Sequence, residues 1–463
     1  MAIFGLSSTA DYEAYRSKNY RRSVQYSYPK GKAPLMGLLS LMSEEYTNDP
    51  EFSHWEYRYT LPKTLTASQG SSKGPIKSAA DTDAGDPITL VADTEYIFCV
   101  DDATIFREGK VVEISLLDTS AATHRVTGVV TAITDRSGTP NKIKVRVLDG
   151  YTALTNGITN ENVDRAFRAI GSSFAQGRSN VTGEYVKLPT KFTNLTQIFR
   201  TPFSLPRTAI KAPLDYDKSG PYKHKAKIAA LDHMVDMEMA LMFGKKDSYT
   251  KPISSGDEAV ATTGEGMIQT LTGGLLYYLE QWEMAASPYR GATSTAITAD
   301  SDDNKRIIEN TGGTIDEDTY DGYVERAFRK TNNVSNEKLV LCGNGALLAL
   351  NQMWKSKTNL NSKLPMTETY GMDIVSSVTP FGTLHYKTHP LFNEDDDWRF
   401  NMLIVDVNNI KYRPLSDSDT KLLTQRQAND ADHRKDEYLT EAGFEVWFPE
   451  SHMLIKNVQS YTP

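Results

Sequence analysis

The longest periodic segment of the chain lies at residues 222–247. Apolar side chains recur there at every third or fourth position, at Ile228, Leu231, Val235, Met239 and Met242. This spacing predicts one buried face of an α-helix over residues 222–244. Gly244 suits the left-handed residue that follows a helix, and Lys245 and Lys246 complement the negative helix end. We expect this helix of about 22 residues, roughly 33 Å long, to be the central element.

Two extended segments flank a region of short strands. Residues 51–60 alternate apolar and polar side chains, and residues 187–205 are extended and rich in aromatic rings. We interpret residues 51–85 and 180–206 as the legs of one long hairpin. Between them, residues 86–179 contain four β-branched, alternating segments, at 94–100, 110–117, 124–133 and 142–147. This pattern predicts an inserted small β-barrel or sandwich.

The C-terminal half alternates between helical and strand patterns. Residues 318–330 have the i, i+3, i+4, i+7 spacing of a second helix, with Asp318 or Thr319 as its N-cap. A buried strand at 338–342 precedes a helix at 345–354. A hairpin is expected at 373–388, and further strands at 401–407, 443–448 and 453–458. The fold class is therefore α+β.

Composition excludes several classes of protein. The 463 residues carry 51 Lys and Arg against 59 Asp and Glu, a formal charge of −8, which argues against a dedicated nucleic-acid binder. Cys99 and Cys342 are the only cysteines, too few for a disulfide framework or a structural zinc site. No apolar run approaches the roughly 18 residues of a membrane span. We expect a soluble protein made in a reducing compartment.

The first 50 residues have the composition of an arm. Six Lys and Arg residues between positions 16 and 32, including Arg21 and Arg22, outnumber Asp11 and Glu13, and five tyrosines are interspersed. A basic, aromatic segment without a core of its own needs a surface to pack on. Packing on a partner and packing on its own subunit are both open.

Candidate catalytic and cofactor motifs are weak. Gly343 and Gly345 lie between a strand and a helix, but Leu348 replaces the third glycine of a dinucleotide fingerprint, so a helix cap is the better reading. Residues 394–397 are four consecutive carboxylates that suit a divalent ion, although a solvated turn fits their spacing better. We therefore expect no catalytic residue, no cofactor and no metal, and favour a structural protein.

Several short motifs occur in an order that resembles a known family. They are Thr193-Asn-Leu-Thr-Gln-Ile-Phe199 followed by Ser204 and Thr208, Glu238-Met-Ala-Leu-Met-Phe-Gly244, Gly273-Gly-Leu-Leu-Tyr-Tyr278, Tyr370-Gly371, Thr379-Pro-Phe-Gly-Thr383, Leu403-Ile-Val-Asp406 and the Phe106-x-x-Gly109 turn. With the order of elements, they resemble the major capsid protein of tailed bacteriophages. That family has the HK-ninety-seven-like fold, which encapsulin shells share. The motifs span most of residues 50–458.

The resemblance implies a division of the chain into domains. It implies an N-terminal arm (1–50), a peripheral domain (207–336) with the 222–244 helix as its spine, an axial domain (337–410) and a return to the peripheral domain (411–463). The hairpin would lie over a neighbouring subunit and carry the 86–179 insertion. The residues expected at inter-subunit contacts are Trp55, Tyr57, Tyr59, Phe192, Phe199, Phe203, Arg21 and Arg22.

The implied function is self-assembly. Pentamers and hexamers of the chain would form an icosahedral or prolate head shell around double-stranded DNA, bound without sequence specificity and without a membrane. The shell would assemble in the host bacterial cytoplasm and become part of the virion, with separate scaffolding, portal and decoration proteins as candidate partners. Three alternatives stay open: an encapsulin-like nanocompartment shell, an α/β enzyme with an accessory β-domain, and a phage tail or decoration protein.

Overall fold

A computed structural model of the chain describes residues 45–57, 63–65, 76–82, 90–100, 103, 105–117, 123–135, 141–149, 166–174, 176, 188–212, 220–250, 268–285, 287–289, 296–299, 302–329, 336–357, 366–369 and 372–462. Two units are present. The inserted unit is Tyr57–Thr190, and the main unit combines Met1–Glu56 with Lys191–Pro463. Most of the predicted arm lies outside the described residues.

The inserted unit follows strand β1 (Glu51–Glu56) and is built on one antiparallel sheet. Its strands are β2 (Lys63–Leu65), β3 (Ile76–Ser78), β4 (Glu95–Val100), β5 (Lys110–Leu117), β6 (Thr123–Asp135), β7 (Asn141–Val147) and β8 (Ala166–Ser172). They lie in the order β2-β8-β5-β6-β7-β4-β3. The four strands predicted from the alternating pattern are β4 to β7.

One sequence motif of the inserted unit has a direct steric explanation. Gly109 has a φ of +78°, and a Cβ there would lie 2.3 Å from the ring of Phe174. The turn that contains Phe106-x-x-Gly109 therefore requires glycine. Phe106 itself is buried, with its ring centroid 5.2 Å from that of Phe167.

The main unit contains the remaining elements. Its strands are β9 (Thr190–Leu195, which begins at the boundary), β10 (Gln197–Pro206), β11 (Asp247–Thr250), β12 (Ile268–Leu271), β13 (Ile307–Glu309), β14 (Thr314–Ile315), β15 (Glu337–Cys342), β16 (Met366–Thr369), β17 (Met372–Thr379), β18 (Gly382–Thr388), β19 (Met402–Val405), β20 (Ile410–Pro414), β21 (Lys421–Leu423), β22 (His433–Val446), β23 (Met453–Lys456) and β24 (Ser460–Tyr461). Its α-helices are α1 (Arg207–Lys211), α2 (Pro221–Phe243), α3 (Leu275–Glu283), α4 (Glu317–Arg329), α5 (Asn344–Lys357) and α6 (Pro390–Glu394). Short 3-10 turns occur at Trp398–Phe400, Val407–Asn409 and Pro449–Ser451.

A mixed sheet, in the order β13-β23-β19-β15-β18-β17-β16, is buried on both faces at its centre. Leu339 and Leu341 of β15 join a core with α2 and α3, whereas Val340 and Cys342 join a second core with α4 and α5. This double burial explains the unbroken apolar run of the predicted strand. The sheet also takes β13 and β23 from outside the expected axial range of 337–410.

The long helix lies where its periodicity predicts, but its buried face differs. The helix spans Pro221–Phe243, and its buried residues are Ala229, His233, Met237, Glu238, Leu241 and Met242. Met239, predicted to be buried, is 42% exposed. The predicted face is wrong there because two polar side chains are buried with partners instead. His233 lies 2.9 Å from Thr201 Oγ1 and 2.7 Å from Thr440 Oγ1.

The ends of two helices also differ from the prediction. Gly244 has a φ of −57° and is not left-handed. Its lack of a side chain matters for packing, because a Cβ would lie 2.4 Å from the Ala240 carbonyl oxygen. Helix α4 begins one residue earlier than expected, and Asp316 caps it by accepting a 2.7 Å hydrogen bond from the Thr319 N–H.

The extended hairpin is only partly formed as predicted. Strands β1 and β9 pair as a two-stranded ribbon. Strand β10, expected to continue the second leg, pairs along its whole length with β22, from Gln197 opposite Ala442 to Pro206 opposite His433. With β20 and β21, these strands form a four-stranded sheet against which α2 packs. The expectation that this leg has no core of its own is therefore wrong for β10.

Candidate functional site

The motif that begins at Thr193 lies at a junction of three chain segments. The buried Asn194 side chain donates from Nδ2 to the carbonyl oxygens of Gly273 (3.0 Å) and Phe444 (2.6 Å). Its Oδ1 accepts hydrogen bonds from the N–H groups of Gly273 and Leu195, both at 2.9 Å. One amide thereby joins β9, the loop before α3 and β22.

Two further motifs meet at the same junction. The Gly274 N–H donates to the Gly244 carbonyl oxygen at 2.7 Å, so the end of α2 touches the start of α3. A Cβ at Gly274 would lie 2.5 Å from the Ala240 carbonyl oxygen. Both glycines are needed because the backbones approach too closely for a side chain.

The remaining polar residues of the first motif bond to the same neighbours. Thr196 Oγ1 donates to Glu441 Oε1 at 3.2 Å, and its carbonyl oxygen accepts from Thr270 Oγ1 at 2.6 Å. Gln197 Oε1 accepts from the Thr272 N–H at 3.2 Å. The motifs at 193–199, 238–244 and 273–278 thus contain residues that pack and hydrogen-bond inside the main unit. These residues position the strands around α2.

A buried hydrogen bond links α2 to the end of the mixed sheet, just after β18. Glu238 Oε1 and His389 Nε2 are 2.9 Å apart, and both side chains are inaccessible to solvent. Glu238 belongs to the motif that ends α2. The pair explains why a carboxylate occupies the buried face of this helix.

A second buried polar cluster surrounds Lys338 in β15. Its Nζ donates to the carbonyl oxygens of Ala327 and Ser451, both at 2.6 Å, and lies 5.3 Å from the Phe328 ring centroid. Burial lowers the pKa of Lys338 to about 8. Burial, reinforced by the Lys338 charge, lowers the pKa of His452 to about 3. These groups hold α4 and the turn at 449–451 against the sheet.

The end of the predicted arm packs on its own main unit. The Thr47 N–H donates to the Pro414 carbonyl oxygen at 2.9 Å. Glu45 contacts Lys411 Nζ at 3.0 Å and Arg413 Nη1 at 2.7 Å. The hydrogen bond from Lys411, assisted by Arg413, lowers the pKa of the Glu45 carboxyl. The own-subunit alternative therefore applies to this end of the arm.

Strand β1 is anchored to the same unit by a buried histidine. His54 Nε2 lies 3.1 Å from Glu56 Oε1, and Nδ1 lies 3.6 Å from Glu445 Oε1. Its ring stacks on Trp447 at 4.9 Å. The Phe448 N–H donates to Glu56 Oε1 at 2.9 Å. One face of β1 is thus fixed.

The candidate chemical motifs have structural partners. A Cβ at Gly343 would lie 2.2 Å from the Arg399 carbonyl oxygen, so close backbone packing accounts for this glycine. Within the carboxylate run, Asp395 accepts from the Asp397 N–H at 2.9 Å, and Asp396 lies 3.6 Å from Arg399 Nη1. Among the described residues, no group of three His, Cys, Asp or Glu side chains is arranged to hold a metal ion. In the same residues, no helix has the length and apolar character needed to cross a membrane.

The sequence profile of the family described as SU10 major capsid protein matches residues 29–459. The match covers most of the chain. The chain belongs to the SU10 major capsid protein family. It is a structural protein of a phage capsid shell, built from capsid protein subunits, and a component of the virion.

Comparison with solved structures finds looser similarities. A structure from Microbacterium phage Oxtober96 is 10% identical, with 98% of this chain and 99% of that chain covered and a TM-score of 0.40. One from Mycobacterium phage Adephagia is 9% identical, with 99% of both chains covered and a TM-score of 0.38. The SrpI encapsulin complex of Synechococcus elongatus is 9% identical, with 60% and 80% covered and a TM-score of 0.36. These values are too low to carry a functional argument, and a comparison with curated proteins finds no match.

The residues expected at inter-subunit contacts of this capsid protein fall into three groups. Trp55 and Tyr57 are 58% and 57% exposed. Three others are buried inside the main unit, at 6% exposure or less: Phe192, Phe199 and Phe203. The last three, Tyr59, Arg21 and Arg22, lie outside the described residues. The three phenylalanines are therefore unavailable to a neighbour, because α2, β22 and the packing around Tyr289 already cover them.

Sequence reasoning missed the buried polar residues that organise the main unit. The motifs that contain Asn194 and Glu238 do not indicate that these side chains are buried, and the strand pattern at 338–342 does not distinguish Lys338 from a surface lysine. The sequence does contain a sign of such residues: a polar residue at a position that helical periodicity or a strand pattern assigns to the core. Such a residue requires a buried partner.

Proposed function

We propose that this capsid protein has the HK-ninety-seven-like fold and assembles into the icosahedral or prolate head of a tailed phage, around double-stranded DNA. The family match over residues 29–459 carries the proposal. Helix α2 would be the spine of the peripheral domain, and the mixed sheet the core of the axial domain. The unit Tyr57–Thr190 would occupy the extended hairpin. The family match also favours this role over a nanocompartment shell or an enzyme.

The proposed role is structural and non-enzymatic. Two buried side chains with potential for chemistry have structural partners in the same unit: His389 contacts the Glu238 carboxylate, and Lys338 donates to backbone oxygens. A cavity of about 470 Å³ near the 398–401 turn is lined by carboxylates, amides, aromatic rings and one lysine.

Neighbouring copies of the chain are the proposed principal partners, with scaffolding, portal and decoration proteins as others. We propose that assembly takes place in the host bacterial cytoplasm. Sedimentation velocity and negative-stain imaging of the chain expressed alone test the central claim. Closed shells, pentamers or hexamers are expected. A monomer that stays monomeric when phage lysate is added would refute self-assembly.

The exposed ring of Trp55 offers a sharper test of how subunits meet. The rest of β1 is fixed by Phe52, His54 and Glu56, all buried, whereas Trp55 points to solvent. Covering on the order of 100 Å² of this ring would contribute about 2.5 kcal/mol per contact. We expect Trp55→Ala to lower the yield of shells at a fixed protein concentration.

The control for Trp55→Ala is Lys191→Ala, a truncation of an exposed side chain on β9. Unfolding of the unassembled Trp55→Ala subunit should resemble that of the control, because little intramolecular burial is lost. Shell yields that match the control would remove Trp55 from the proposed contact while leaving the capsid role intact.

A further inference from the structure

The motif at 379–383, which forms the turn between β17 and β18, is fixed internally at its ends. Thr379 Oγ1 donates to the Gly382 carbonyl oxygen at 2.7 Å and accepts from the Gly382 N–H at 3.2 Å. A Cβ at Gly382 would lie 2.5 Å from the Asn336 carbonyl oxygen. These contacts explain the threonine and the glycine of the motif. They do not explain the proline and the phenylalanine between them.

Apolar side chains around this turn face solvent. Val378 is 82% exposed and Phe381 is 41% exposed, and Pro380 is exposed as well. We call these three residues the hairpin tip. A rigid turn that presents large apolar side chains to solvent indicates a contact outside the subunit.

A pocket of about 470 Å³ lies at the other edge of the mixed sheet, beside β13 and β23. The rings of Trp398 and Phe400 line it. Trp398 makes an edge contact with the Phe243 ring, with the centroids 4.6 Å apart. Gly345 packs so closely on Phe400 that a Cβ would lie 2.6 Å from the ring. Both rings are therefore held in place before a partner binds, which lowers the entropic cost of association.

The strand order places the hairpin tip and the pocket at opposite corners of the mixed sheet. Strand β17 is four strand spacings from β23, about 19 Å. Along the strands, the tip lies at the start of β15, where Thr383 is opposite Glu337. The pocket lies at the end of β15, where Met402 is opposite Cys342. These levels are five residue steps apart, roughly 17 Å, so the diagonal is on the order of 25 Å. A subunit therefore cannot fill its own pocket with its own tip.

This arrangement is the one that a ring of identical subunits requires. In a head-to-tail contact, a patch on one subunit meets a different patch on the next, and the ring closes by rotation. A tip at one corner and a pocket at the opposite corner meet that condition. A two-fold contact would instead bring identical patches of the two subunits together.

The pocket also has the chemistry to receive the hairpin tip. Aromatic rings prefer edge-to-face or offset packing, which the Phe381 ring can adopt on Trp398. The edge of an aromatic ring is partially positive and suits nearby carboxylates. Three carboxylates line the pocket: Glu309, Asp396 and Asp397. Opposite charges accompany the two patches, because Glu337 beside the tip is 66% exposed and Lys456 lines the pocket.

We propose that the hairpin tip of one subunit inserts into the pocket of the next subunit, in a head-to-tail contact that repeats around each pentamer or hexamer. This contact rests on the proposed function, because it requires rings of identical subunits. Phe381 occupies its centre, against the Trp398 and Phe400 rings. The exposed middle of the 379–383 motif thereby gains a role that the isolated subunit does not show.

The test is disulfide formation between subunits in shells of the full-length chain. The variant carries Val378→Cys at the tip and Asp396→Cys at the pocket, where the aspartate side chain is fully exposed. A disulfide requires Cα atoms within about 7 Å, so these two positions cannot be bridged within one subunit. The native Cys99 and Cys342 are buried and do not compete. The control pair is Val378→Cys with Leu422→Cys, an exposed position on β21.

After oxidation, we expect a ladder of covalent species on a non-reducing gel that ends at pentamers and hexamers, because each subunit is linked to two neighbours. The control pair and Val378→Cys alone should remain monomeric on the gel. No ladder from intact shells, or a ladder equal to that of the control pair, would overturn the proposal and leave the capsid role standing. Dimers from Val378→Cys alone would also overturn it, because they would place two tips against each other.

A second variant, Phe381→Ala, tests the same contact without cysteines. Covering on the order of 80 Å² of this ring predicts an association constant that is tens of fold lower per contact in the variant. Leu422→Ala is the matched control, since Leu422 is 40% exposed and Phe381 is 41% exposed. Urea unfolding of the unassembled variants checks that both are folded. Equal shell yields for the two variants would overturn the proposal, whereas a wild-type chain that stays monomeric would refute the proposed function and this contact with it.

Discussion

Removing the Asn194 side chain should destabilise the main unit more than a typical surface truncation. In Asn194→Ala, the buried Gly273 N–H loses its 2.9 Å acceptor, and the Gly273 and Phe444 carbonyl oxygens lose a donor. The Leu195 N–H loses a partner as well. Each buried backbone group left unpaired costs about 1–3 kcal/mol, so two or three of them predict a loss of roughly 3–6 kcal/mol.

The assay is urea unfolding of the unassembled chain, followed by tryptophan fluorescence. All five tryptophans lie outside Tyr57–Thr190, so the signal reports on the main unit alone. Lys191→Ala, on the same strand but exposed, is the matched control and should shift stability by less than about 0.5 kcal/mol. Asn194→Asp keeps the acceptor atom but places a carboxylate oxygen against the Gly273 and Phe444 carbonyl oxygens, so we expect it to destabilise the unit at least as much as Asn194→Ala.

The expected order of stability is wild type and Lys191→Ala first, then the two Asn194 variants. A change of less than about 1 kcal/mol in Asn194→Ala would refute the reasoning. It would mean that water or a small backbone shift satisfies the Gly273 and Phe444 groups. The motif would then need a different explanation, such as a contact made only in the assembled shell.

Two further predictions concern the mixed sheet. Burial lowers the pKa of Lys338 from 10.5 to about 8, so between those pH values the unfolded chain binds more protons than the folded one. The unfolding free energy of the wild type should therefore rise by up to about 3 kcal/mol from pH 8 to 10.5 relative to that of Lys338→Met. A difference in unfolding free energy that stays constant over this pH range would contradict this. Gly343→Ala should cost about 1–3 kcal/mol, because its Cβ meets the Arg399 backbone at 2.2 Å. The control is Gly322→Ala, in an exposed helical position with open space around it, and it should stabilise the protein by about 0.5–1 kcal/mol. If Gly343→Ala leaves the stability unchanged, the turn at Arg399 must move to make room for the Cβ.

The positions of the elements follow from local sequence, and their partners do not. Alternation and helical spacing place α2, α4 and strands β4 to β7 within one to three residues of where they lie. These patterns depend on side chains a few residues apart. They place β10 as a strand, but its partner β22 lies more than 200 residues later in the chain. No pattern within 187–205 distinguishes a free hairpin leg from one strand of a sheet.

The buried face of α2 shows a second physical limit. Hydrophobicity alone favours Met239 over Glu238 for burial, because an isolated carboxylate is costly to desolvate. Glu238 is nevertheless buried, since His389 lies 2.9 Å away across the core. The partner, not the residue type, decides the orientation. A single sequence does not indicate which histidine reaches which carboxylate.

The same limit explains why three predicted contact residues, Phe192, Phe199 and Phe203, are buried inside the main unit instead. Aromatic rings on extended segments were assigned to a neighbouring subunit because no internal core was evident for them. Phe199 and Phe203 instead alternate with exposed residues along β10 and face α2, as a half-buried strand requires. Along β1 the aromatic residue is the exposed one. Trp55 lies between the buried residues His54 and Glu56. Two polar residues on the inner face and a large ring on the outer face reverse the usual arrangement. That reversal, which the sequence of β1 contains, is the best local reason to propose that another subunit covers Trp55.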